Sequence, residues 1–371
     1  MKKIMVVGAG KIGSSIAALL GGSGDYAVTL VDASAAVLAG VEQGLLKSGQ
    51  KDAAVTTRQL DVCEPQALQA ALQGQFAVLS AAPFHLTASI AEAAVAAGVH
   101  YMDLTEDVAS TRRVRQLAAT AQSALIPQCG LAPGFVSIVA ADLCQRFDTL
   151  HSVRMRVGAL PQYPSNTLNY NLTWSTDGVI NEYCEPCDAI VEGVLRQVPP
   201  LAEHEEFSLD GITYEAFNTS GGLGTLAETL QGRVTHLNYK TIRYPGHAAI
   251  MKTLLNDLRL RERRHVLKDI LEHALPTTLQ DVVIVFVTVS GQRDGRLTQE
   301  TYAHKVYSQP VGGVLRSAIQ ITTTAGICAV LDLLATGQLP TRGLVKQEEI
   351  ALGDFLGNRF GAAFATQGPK K

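Results

Sequence analysis

The first 130 residues alternate short apolar runs with alanine-rich segments whose apolar positions recur at helical spacing. The apolar runs predict strands, and their near-continuous hydrophobicity is typical of a parallel sheet that is covered on both faces. The alanine-rich segments predict the helices that connect those strands, so residues 1–130 are expected to form a Rossmann-type α/β domain. The predicted strands cover residues 4–7, 27–31, 55–60, 76–81, 100–104 and 124–127, and the predicted helices cover residues 11–20, 64–72, 86–97 and 108–122.

The pattern changes after Gly134. A helix is predicted over residues 135–145. Two strands, over residues 282–290 and 296–307, are predicted to form a β-hairpin with a turn at 291–295. We therefore expect an α+β domain with a largely antiparallel sheet over residues 131–311. Its longer strands are predicted at residues 153–159, 168–174, 234–243 and 282–290. Helices predicted over 312–334 and 347–358 belong to a C-terminal span, about 312–371, that we expect to pack back on the first domain.

Composition narrows the class of protein. The chain has 371 residues, of which 47% are apolar and 18% charged, which is enough for two packed domains and excludes a disordered chain. Its formal net charge of -3 gives no reason to expect nucleic acid or a membrane surface as a partner. Six cysteines are too few for a disulfide scaffold, so we expect a soluble, cytoplasmic protein. Cys184 and Cys187 form a CxxC without a second pair of ligands, so no metal site is expected.

A glycine-rich turn directly after the first predicted strand carries the clearest chemistry. It has the pattern G-x-G-x-x-G and consists of Gly8, Ala9, Gly10, Lys11, Ile12 and Gly13. The three glycines permit a tight turn, a close approach of the backbone to a pyrophosphate, and close helix–strand packing. Asp32 follows Gly13 by 19 residues, where a carboxylate binds both ribose hydroxyls and repels a 2′-phosphate. The pattern predicts NAD rather than NADP as the cofactor, and Ala82 and Pro83, at another strand end, are expected to contact it.

Polar residues follow the ends of two further strands, where a Rossmann sheet places its substrate. Asp103 ends one strand and is the better candidate for a site that binds a cation. Glu106 and Asp107, directly after it, fit such a site and a solvated helix cap equally well. Residues 129–134 follow the other strand, and Cys129 fits either a small core residue or a substrate contact.

At these residues the sequence resembles the saccharopine dehydrogenase-like family, and most of all its L-lysine 6-dehydrogenase branch. The resemblance extends through nearly the whole chain, and it includes the glycine-rich start and residues 100–103, 129–135, 168–175, 178–183 and 240–247. It implies NAD-dependent oxidative deamination of the terminal amine of L-lysine, with 2-aminoadipate 6-semialdehyde, ammonia and NADH as products. It also implies a homodimer or a larger homo-oligomer.

Such a reaction requires opposite charges at the two ends of the substrate. A carboxylate should hold the terminal amine, a cation should hold the α-carboxylate, and a base must take a proton from the amine. Asp103 suits the first role and Arg243 or Lys240 the second. His247 is a candidate proton carrier, because the ordinary pKa of imidazole lies near neutrality. The remaining expected substrate contacts are Tyr101, Cys129 and Gly130.

Alternatives remain open at two levels. For single residues, Arg243 could instead be a charged side chain on the exposed face of a strand, and His247 could cap the helix that follows it. For the whole chain, a saccharopine- or carboxynorspermidine-type reductase would share the scaffold and use NADPH, against which Asp32 argues. A non-catalytic sensor would bind NAD without turning over an amine.

Overall fold

A computed structural model describes residues 1–47, 53–311 and 313–365 of the chain. These residues form two compact units. The first unit contains residues 1–135, residues 310–314 and the chain from residue 320 onward, and the second contains residues 136–309 and 315–319. Residues 366–371, the end of the C-terminal span expected from the sequence, lie outside the described residues.

The first unit contains a seven-stranded parallel sheet, which confirms the predicted Rossmann-type fold. The order of its strands is β3-β2-β1-β4-β5-β6-β17, so the chain reverses direction across the sheet between β1 and β4. In doubly wound sheets, ligands bind at such a switch point, at the carboxyl ends of the strands. The strands are β1 (Lys2–Val7), β2 (Tyr26–Asp32), β3 (Val55–Gln59), β4 (Ala77–Ser80), β5 (His100–Asp103), β6 (Ala124–Ile126) and β17 (Gly343–Leu344).

Five α-helices connect the strands of this sheet within residues 1–118. Four of them were predicted, whereas the helix over 35–47 was not, because Gly40 and Gly44 weaken its intrinsic helical preference. The helices bury residues such as Ile90 and Val114 against Val78 and Tyr101 of the sheet. They are α1 (Lys11–Gly21), α2 (Ala35–Lys47), α3 (Pro65–Leu72), α4 (Thr87–Ala97) and α5 (Val108–Ala118), with a 3₁₀-helix at Phe84–Leu86.

The C-terminal helices differ from the prediction. The helix expected over 312–334 begins only at Ala318, because the strands β15 (Gln309–Val311) and β16 (Val314–Arg316) pair with each other before it. This helix, α11 (Ala318–Ala335), is long and apolar enough to cross a membrane, but 89% of it is buried within the protein, as in a core helix. The helix expected over 347–358 is interrupted by extended backbone at Ile350 and Ala351. It consists of a 3₁₀-helix (Gln347–Glu349) and α12 (Leu352–Gly357), and a further 3₁₀-helix covers Gly361–Phe364.

The second unit contains an eight-stranded, largely antiparallel sheet, as predicted. Its main path is β10-β11-β12-β7-β13-β14, in which β12 and β7 are parallel and the other neighbours antiparallel. The pairing of β8 with β12 and β9 completes it. The strands are β7 (Thr149–Pro161), β8 (Cys187–Val191), β9 (Val194–Val198), β10 (Glu205–Leu209), β11 (Ile212–Asn218), β12 (Val234–Arg243), β13 (Asp281–Arg293) and β14 (Arg296–Tyr307).

The strand predicted over 168–174 is wrong. The chain there is irregular, since Asn169 has a left-handed φ of 52° and Asn166 binds the Tyr170 carbonyl through its side chain at 2.8 Å. The helices that follow in chain order from Phe135 are α6 (Phe135–Cys144), α7 (Thr176–Cys184), α8 (Leu226–Leu230), α9 (His247–Lys252) and α10 (Arg264–Ala274), with a π-helix at Thr253–Asp257 and a 3₁₀-helix at Leu260–Arg263.

Candidate active site

The glycine-rich turn joins β1 to α1 at the switch point of the parallel sheet. A Cβ atom at Gly13 would lie 1.7 Å from the Gly8 carbonyl oxygen, so only glycine allows this packing of helix against strand. Gly8 has a φ of 93°, and a Cβ there would approach the Ala81 oxygen to 2.8 Å and the Ala82 nitrogen to 3.2 Å. The turn is therefore packed directly against the backbone of Ala81 and Ala82, at the end of β4.

The space around Gly10 fits a pyrophosphate. No atom lies within 4 Å of a Cβ built at Gly10, so its backbone faces open space at the start of α1. The N-terminus of a helix offers unpaired N–H groups and a positive partial charge to an anion. Gly10, Lys11 and Ile12, with Gly8 and Gly13 shaping the turn, are thus the residues that would hold the phosphates of a dinucleotide.

Asp32 lies at the end of β2, next to this turn. Its Oδ2 accepts a hydrogen bond from the Ala9 N–H at 2.8 Å, and its Oδ1 accepts one from the Ser34 N–H at 2.9 Å. A carboxylate oxygen has more than one acceptor site, so both oxygens keep capacity for ribose hydroxyls. The two backbone bonds orient the carboxylate beside the turn, in the position that a dinucleotide requires.

Asp103 lies at the end of β5, two strands from β1. Its Oδ1 accepts hydrogen bonds from the N–H groups of Gln128 at 2.8 Å and Thr105 at 3.1 Å. Its Oδ2 is buried and has no hydrogen-bond partner among the described residues, and the whole residue is only 1% exposed. Burial raises the pKa of Asp103 to about 6, although the two backbone hydrogen bonds and the Tyr101 hydroxyl act in the opposite direction. One carboxylate oxygen is thus held in place, and the other is available to a ligand.

Tyr101 and Glu106 lie close to Asp103 along the chain, one before it and one after it. Tyr101, two residues earlier on the same face of β5, is fully buried, and its hydroxyl donates to the Thr87 carbonyl at 3.4 Å. Glu106 lies in the turn after the strand and is half-buried. Burial, together with the nearby carboxylates of Asp107 and Asp103, raises the pKa of Glu106 to about 7. Asp107, by contrast, caps α5 by accepting from the Ser110 N–H. Glu106 therefore belongs to the acidic site, whereas Asp107 is a helix cap.

Cys129 and Gly130 form the turn after β6, beside Asp103. The Cys129 N–H donates to the Asp103 carbonyl at 2.8 Å, and its thiol donates to the Ile126 carbonyl at 3.0 Å. Burial and the charge of Asp103 raise the pKa of this thiol well above its usual range, so it is a neutral packing group. A Cβ at Gly326 of α11 would lie 2.6 Å from the Cys129 oxygen, which shows how closely α11 packs on this turn.

Gln347, a residue that the sequence analysis did not select, also reaches this turn. Its Nε2 donates to the Pro127 carbonyl at 2.9 Å and contacts the Cys129 sulfur at 3.3 Å. Its Oε1 is buried and has no partner within the described part of the chain. No sequence signal could have identified Gln347, because it lies 220 residues after Pro127.

Arg243 and His247 come together in the second unit, through Tyr183. Arg243 is only 2% exposed, which excludes the alternative of an exposed strand charge. Its Nε donates to the Tyr183 hydroxyl at 3.0 Å, and that hydroxyl lies 3.1 Å from His247 Nε2. His247 Nδ1 lies 3.0 Å from the Leu168 carbonyl, which can only accept. Nδ1 therefore carries the proton, and Tyr183 donates its own to Nε2.

His247 was expected to carry protons because the pKa of a free imidazole lies near neutrality, but its surroundings change that pKa. Burial and the neighbouring Arg243 guanidinium lower the pKa of His247 to about 3, so the ring is neutral near pH 7. Its side chain does not cap α9, since it is directed to Leu168 and Tyr183. The geometry makes His247 a fixed hydrogen-bond acceptor that orients Tyr183 and, through it, Arg243.

The side chain of Lys240 lies away from that of Arg243. The two residues are three positions apart on β12, so their side chains leave opposite faces of the sheet. Lys240 Nζ donates to the Glu203 carbonyl at 2.6 Å and lies 3.6 Å from Glu205 Oε1. Glu205 also binds Arg156 Nε at 2.6 Å. Lys240 is thus engaged in an internal ion-pair cluster, and Arg243 is the better candidate of the two for a substrate carboxylate.

Glu215 is a second residue that the sequence analysis missed. It is opposite Arg243 on the neighbouring strand β11 and is buried. Its carboxylate accepts from the N–H groups of Gly246 at 2.8 Å and Ala248 at 2.6 Å, and it lies 3.1 Å from His204 Nε2. Glu215 therefore holds the turn that presents His247.

The CxxC cysteines have no visible chemical role. Cys184 and Cys187 are buried and not bonded to each other, and burial raises the pKa of both thiols. Within residues 1–47, 53–311 and 313–365, no group of three or more histidine, cysteine or acidic side chains is arranged to hold a metal ion.

The parallel sheet, its dinucleotide turn and the buried carboxylate one strand beyond the switch point define the class of protein, an NAD(P)-binding oxidoreductase. Two family models match the chain: the saccharopine dehydrogenase NADP binding domain over residues 4–127, and the saccharopine dehydrogenase C-terminal domain over residues 130–358. The chain belongs to the saccharopine dehydrogenase family. Its cofactor is a nicotinamide dinucleotide.

One solved structure shares the fold, and two others are more distantly similar. The saccharopine dehydrogenase (L-Glu forming) from Saccharomyces cerevisiae matches with a TM-score of 0.78 at 16% identity, over 96% of this chain and 97% of that chain. A DAP dehydrogenase from C. glutamicum, in complex with DAP, matches with a TM-score of 0.47 at 12% identity, over 95% of each chain. A probable dehydrogenase from Thermotoga maritima matches with a TM-score of 0.47 at 10% identity, over 96% of this chain and 94% of that chain.

Proposed function

We propose that this protein oxidises the terminal amine of L-lysine with NAD, giving 2-aminoadipate 6-semialdehyde, ammonia and NADH. The semialdehyde then cyclises to piperideine carboxylate. The observation that carries the proposal is Asp103, whose Oδ1 is held by two backbone N–H groups while its buried Oδ2 has no partner. An ammonium or amine donor would satisfy this oxygen, one strand from the cofactor switch point.

The residues of the first unit fit the proton transfers that this oxidation requires. The substrate ammonium gives one proton to a carboxylate, its carbon loses a hydride, and an iminium ion results. Water adds to that ion, and ammonia leaves. When bound, the nicotinamide ring supplies the hydride acceptor. Asp103 holds the amine, and Asp103 or Glu106 takes the proton, since pKa values of about 6 and about 7 suit a general base near neutrality.

Arg243 is the cation that we propose for the α-carboxylate. Arg243 is buried, and two of its five N–H groups bind the Tyr183 hydroxyl and the Ile242 carbonyl. An arginine binds a carboxylate through parallel N–H groups, and Tyr183 and His247 fix the plane of this guanidinium. The proposal therefore assigns His247 a positioning role.

NAD is the proposed cofactor because Asp32 presents a carboxylate where NADP would carry a phosphate. Both oxygens of Asp32 are held by backbone N–H groups, so the side chain cannot turn away without losing those bonds. The proposal extends to a cytoplasmic homo-oligomer, in keeping with the implied family branch.

The decisive experiment is a panel of amines and amino acids, each with NAD and NADP, followed by the absorbance of the reduced cofactor. L-lysine with NAD should give the highest kcat/KM. A clear preference for another amine, or for NADP, would contradict the proposal in its substrate or cofactor part respectively.

A second candidate is favoured by the family models, whose descriptions name saccharopine and NADP. In that reading the enzyme cleaves or forms the secondary amine of a saccharopine-type substrate. Saccharopine in the same panel separates the two functions, because its turnover releases an amino acid rather than ammonia.

A further inference from the structure

An irregular segment, Leu168–Ser175, lies against Arg243 and His247 in the second unit. The Leu168 carbonyl accepts from His247 Nδ1 at 3.0 Å, and Asn169 Nδ2 donates to the Pro245 carbonyl at 3.4 Å. The ring centroid of Tyr170 is 5.1 Å from the Arg243 guanidinium carbon and 5.4 Å from the His247 ring. The segment thus covers the guanidinium with an aromatic face.

Two hydroxyl groups of this segment are buried without partners. Neither Tyr170 Oη nor Thr173 Oγ1 has a hydrogen-bond partner in the described part of the chain, and both residues are more than nine-tenths buried. Burial raises the pKa of Tyr170, while Arg243 and the Thr173 hydroxyl lower it. The Tyr170 hydroxyl therefore lies within the influence of both. Buried hydroxyls are normally hydrogen-bonded, so each unpartnered one calls for an explanation.

Arg243, whose guanidinium lies over the Tyr170 ring, has N–H groups left for a ligand. Of the five N–H groups of an arginine, one binds the Tyr183 hydroxyl and one the Ile242 carbonyl at 2.9 Å. Burial lowers the pKa of Arg243, but the electrostatic influence of Tyr183, Tyr170 and Glu182 outweighs it and raises that pKa. Burying a guanidinium costs free energy, and an anionic ligand bound to its remaining N–H groups would lower that cost.

We infer that Tyr170 and Thr173 form, together with Arg243, a binding site for a carboxylate group, and that these two hydroxyls set the preference for an amino acid over the matching diamine. A carboxylate has acceptor sites for the guanidinium and for both hydroxyls at once. The inference rests on the proposed function only in taking this carboxylate to be that of the substrate. Neither residue was assigned a role from the sequence.

The test compares L-lysine with 1,5-diaminopentane, which lacks the carboxylate and keeps the amines. Dissociation constants are measured by isothermal titration calorimetry with protein saturated with NADH or NADPH, whichever binds more tightly. Tyr170→Phe and Thr173→Val should each weaken lysine binding about 10-fold, since each removes one hydrogen bond to a charged group. Both variants should bind 1,5-diaminopentane within about twofold of wild type, because that ligand has no group for the site.

Tyr244→Phe provides a matched control. Its ring stacks on Tyr214, and its hydroxyl donates to the Pro161 carbonyl at 2.9 Å. This change should leave the binding of both ligands unaltered and lower the urea midpoint of the second unit. Tyr170→Phe should not lower that midpoint, since its hydroxyl has no bond to lose. Trp174 is the single tryptophan of the chain and reports this unfolding by fluorescence.

Equal losses for lysine and diaminopentane would overturn the inference, because they would show general damage to the fold. Unchanged lysine binding in both variants would overturn it as well, even if the wild type oxidises lysine. Lysine binding that depends on the two hydroxyls, but without any turnover, would support the site and refute the proposed function instead.

Discussion

Replacing Asp103 with asparagine separates the charge of this side chain from its hydrogen bonds. Asparagine keeps an oxygen that can accept from the N–H groups of Gln128 and Thr105, as Oδ1 does at 2.8 Å and 3.1 Å. Its amide group replaces Oδ2, which is buried without a partner among the described residues. We expect Asp103→Asn to fold, and to lose at least about 100-fold in kcat with lysine, because the anion that holds the amine and one of the two candidate bases disappear together.

The same change should alter the pH dependence of stability by a predictable amount. Burial raises the pKa of Asp103 from 3.8 to about 6, so between these values the folded protein keeps a proton that the unfolded chain releases. The contribution of Asp103 to stability is therefore greatest below about pH 4 and is lost as the pH rises through 6. A shift of about 2 pKa units corresponds to about 3 kcal/mol of free energy of unfolding. Asp103→Asn should lack this loss, so its stability relative to wild type should rise by about 3 kcal/mol between pH 4 and pH 7.

This difference in stability is measured by urea unfolding followed by circular dichroism. Hydrogen exchange of peptides covering residues 100–130 assigns it to the first unit. Trp174 fluorescence would not, because Trp174 lies in the second unit. Asp107→Asn, which replaces the cap of α5 by another good cap, controls for the exchange itself. If wild type and Asp103→Asn show the same pH dependence from pH 4 to pH 7, Asp103 is not a buried titrating carboxylate, and its assigned role fails.

Three further predictions follow from other parts of the molecule. Asp32→Ala should lower the ratio of kcat/KM for NAD to that for NADP at least about 10-fold, and a wild type that already prefers NADP would refute this. Because the pKa of His247 is lowered to about 3, wild type should lose stability as the pH falls below about 6.5, and His247→Gln should lessen that loss in acid unfolding followed by Trp174 fluorescence. The proposed homo-oligomer should appear by light scattering at micromolar concentration, and a strictly monomeric species would count against it.

Sequence alone was sufficient for the first unit's architecture and its cofactor turn. The alternation of apolar strands with helices, the glycine spacing and the position of Asp32 are all expressed within a few tens of residues. Such local patterns follow from backbone geometry, as the close contact of Gly13 with the Gly8 carbonyl illustrates. The helix over 35–47 was not predicted, because its local helical preference is weak. The strand over 168–174 was wrongly predicted, because apolar alternation occurs there without a partner strand.

The tertiary structure decided the chemistry of the side chains. Asp103 is held at Oδ1 by the N–H of Gln128, 25 residues away, whose φ is 65°. Arg243 and Lys240 carry the same charge in the sequence, but the pleat of β12 sends them to opposite faces, one to Tyr183 and one to Glu205. Burial, hydrogen-bond partners and pKa depend on contacts between distant parts of the chain, and no local pattern records those contacts.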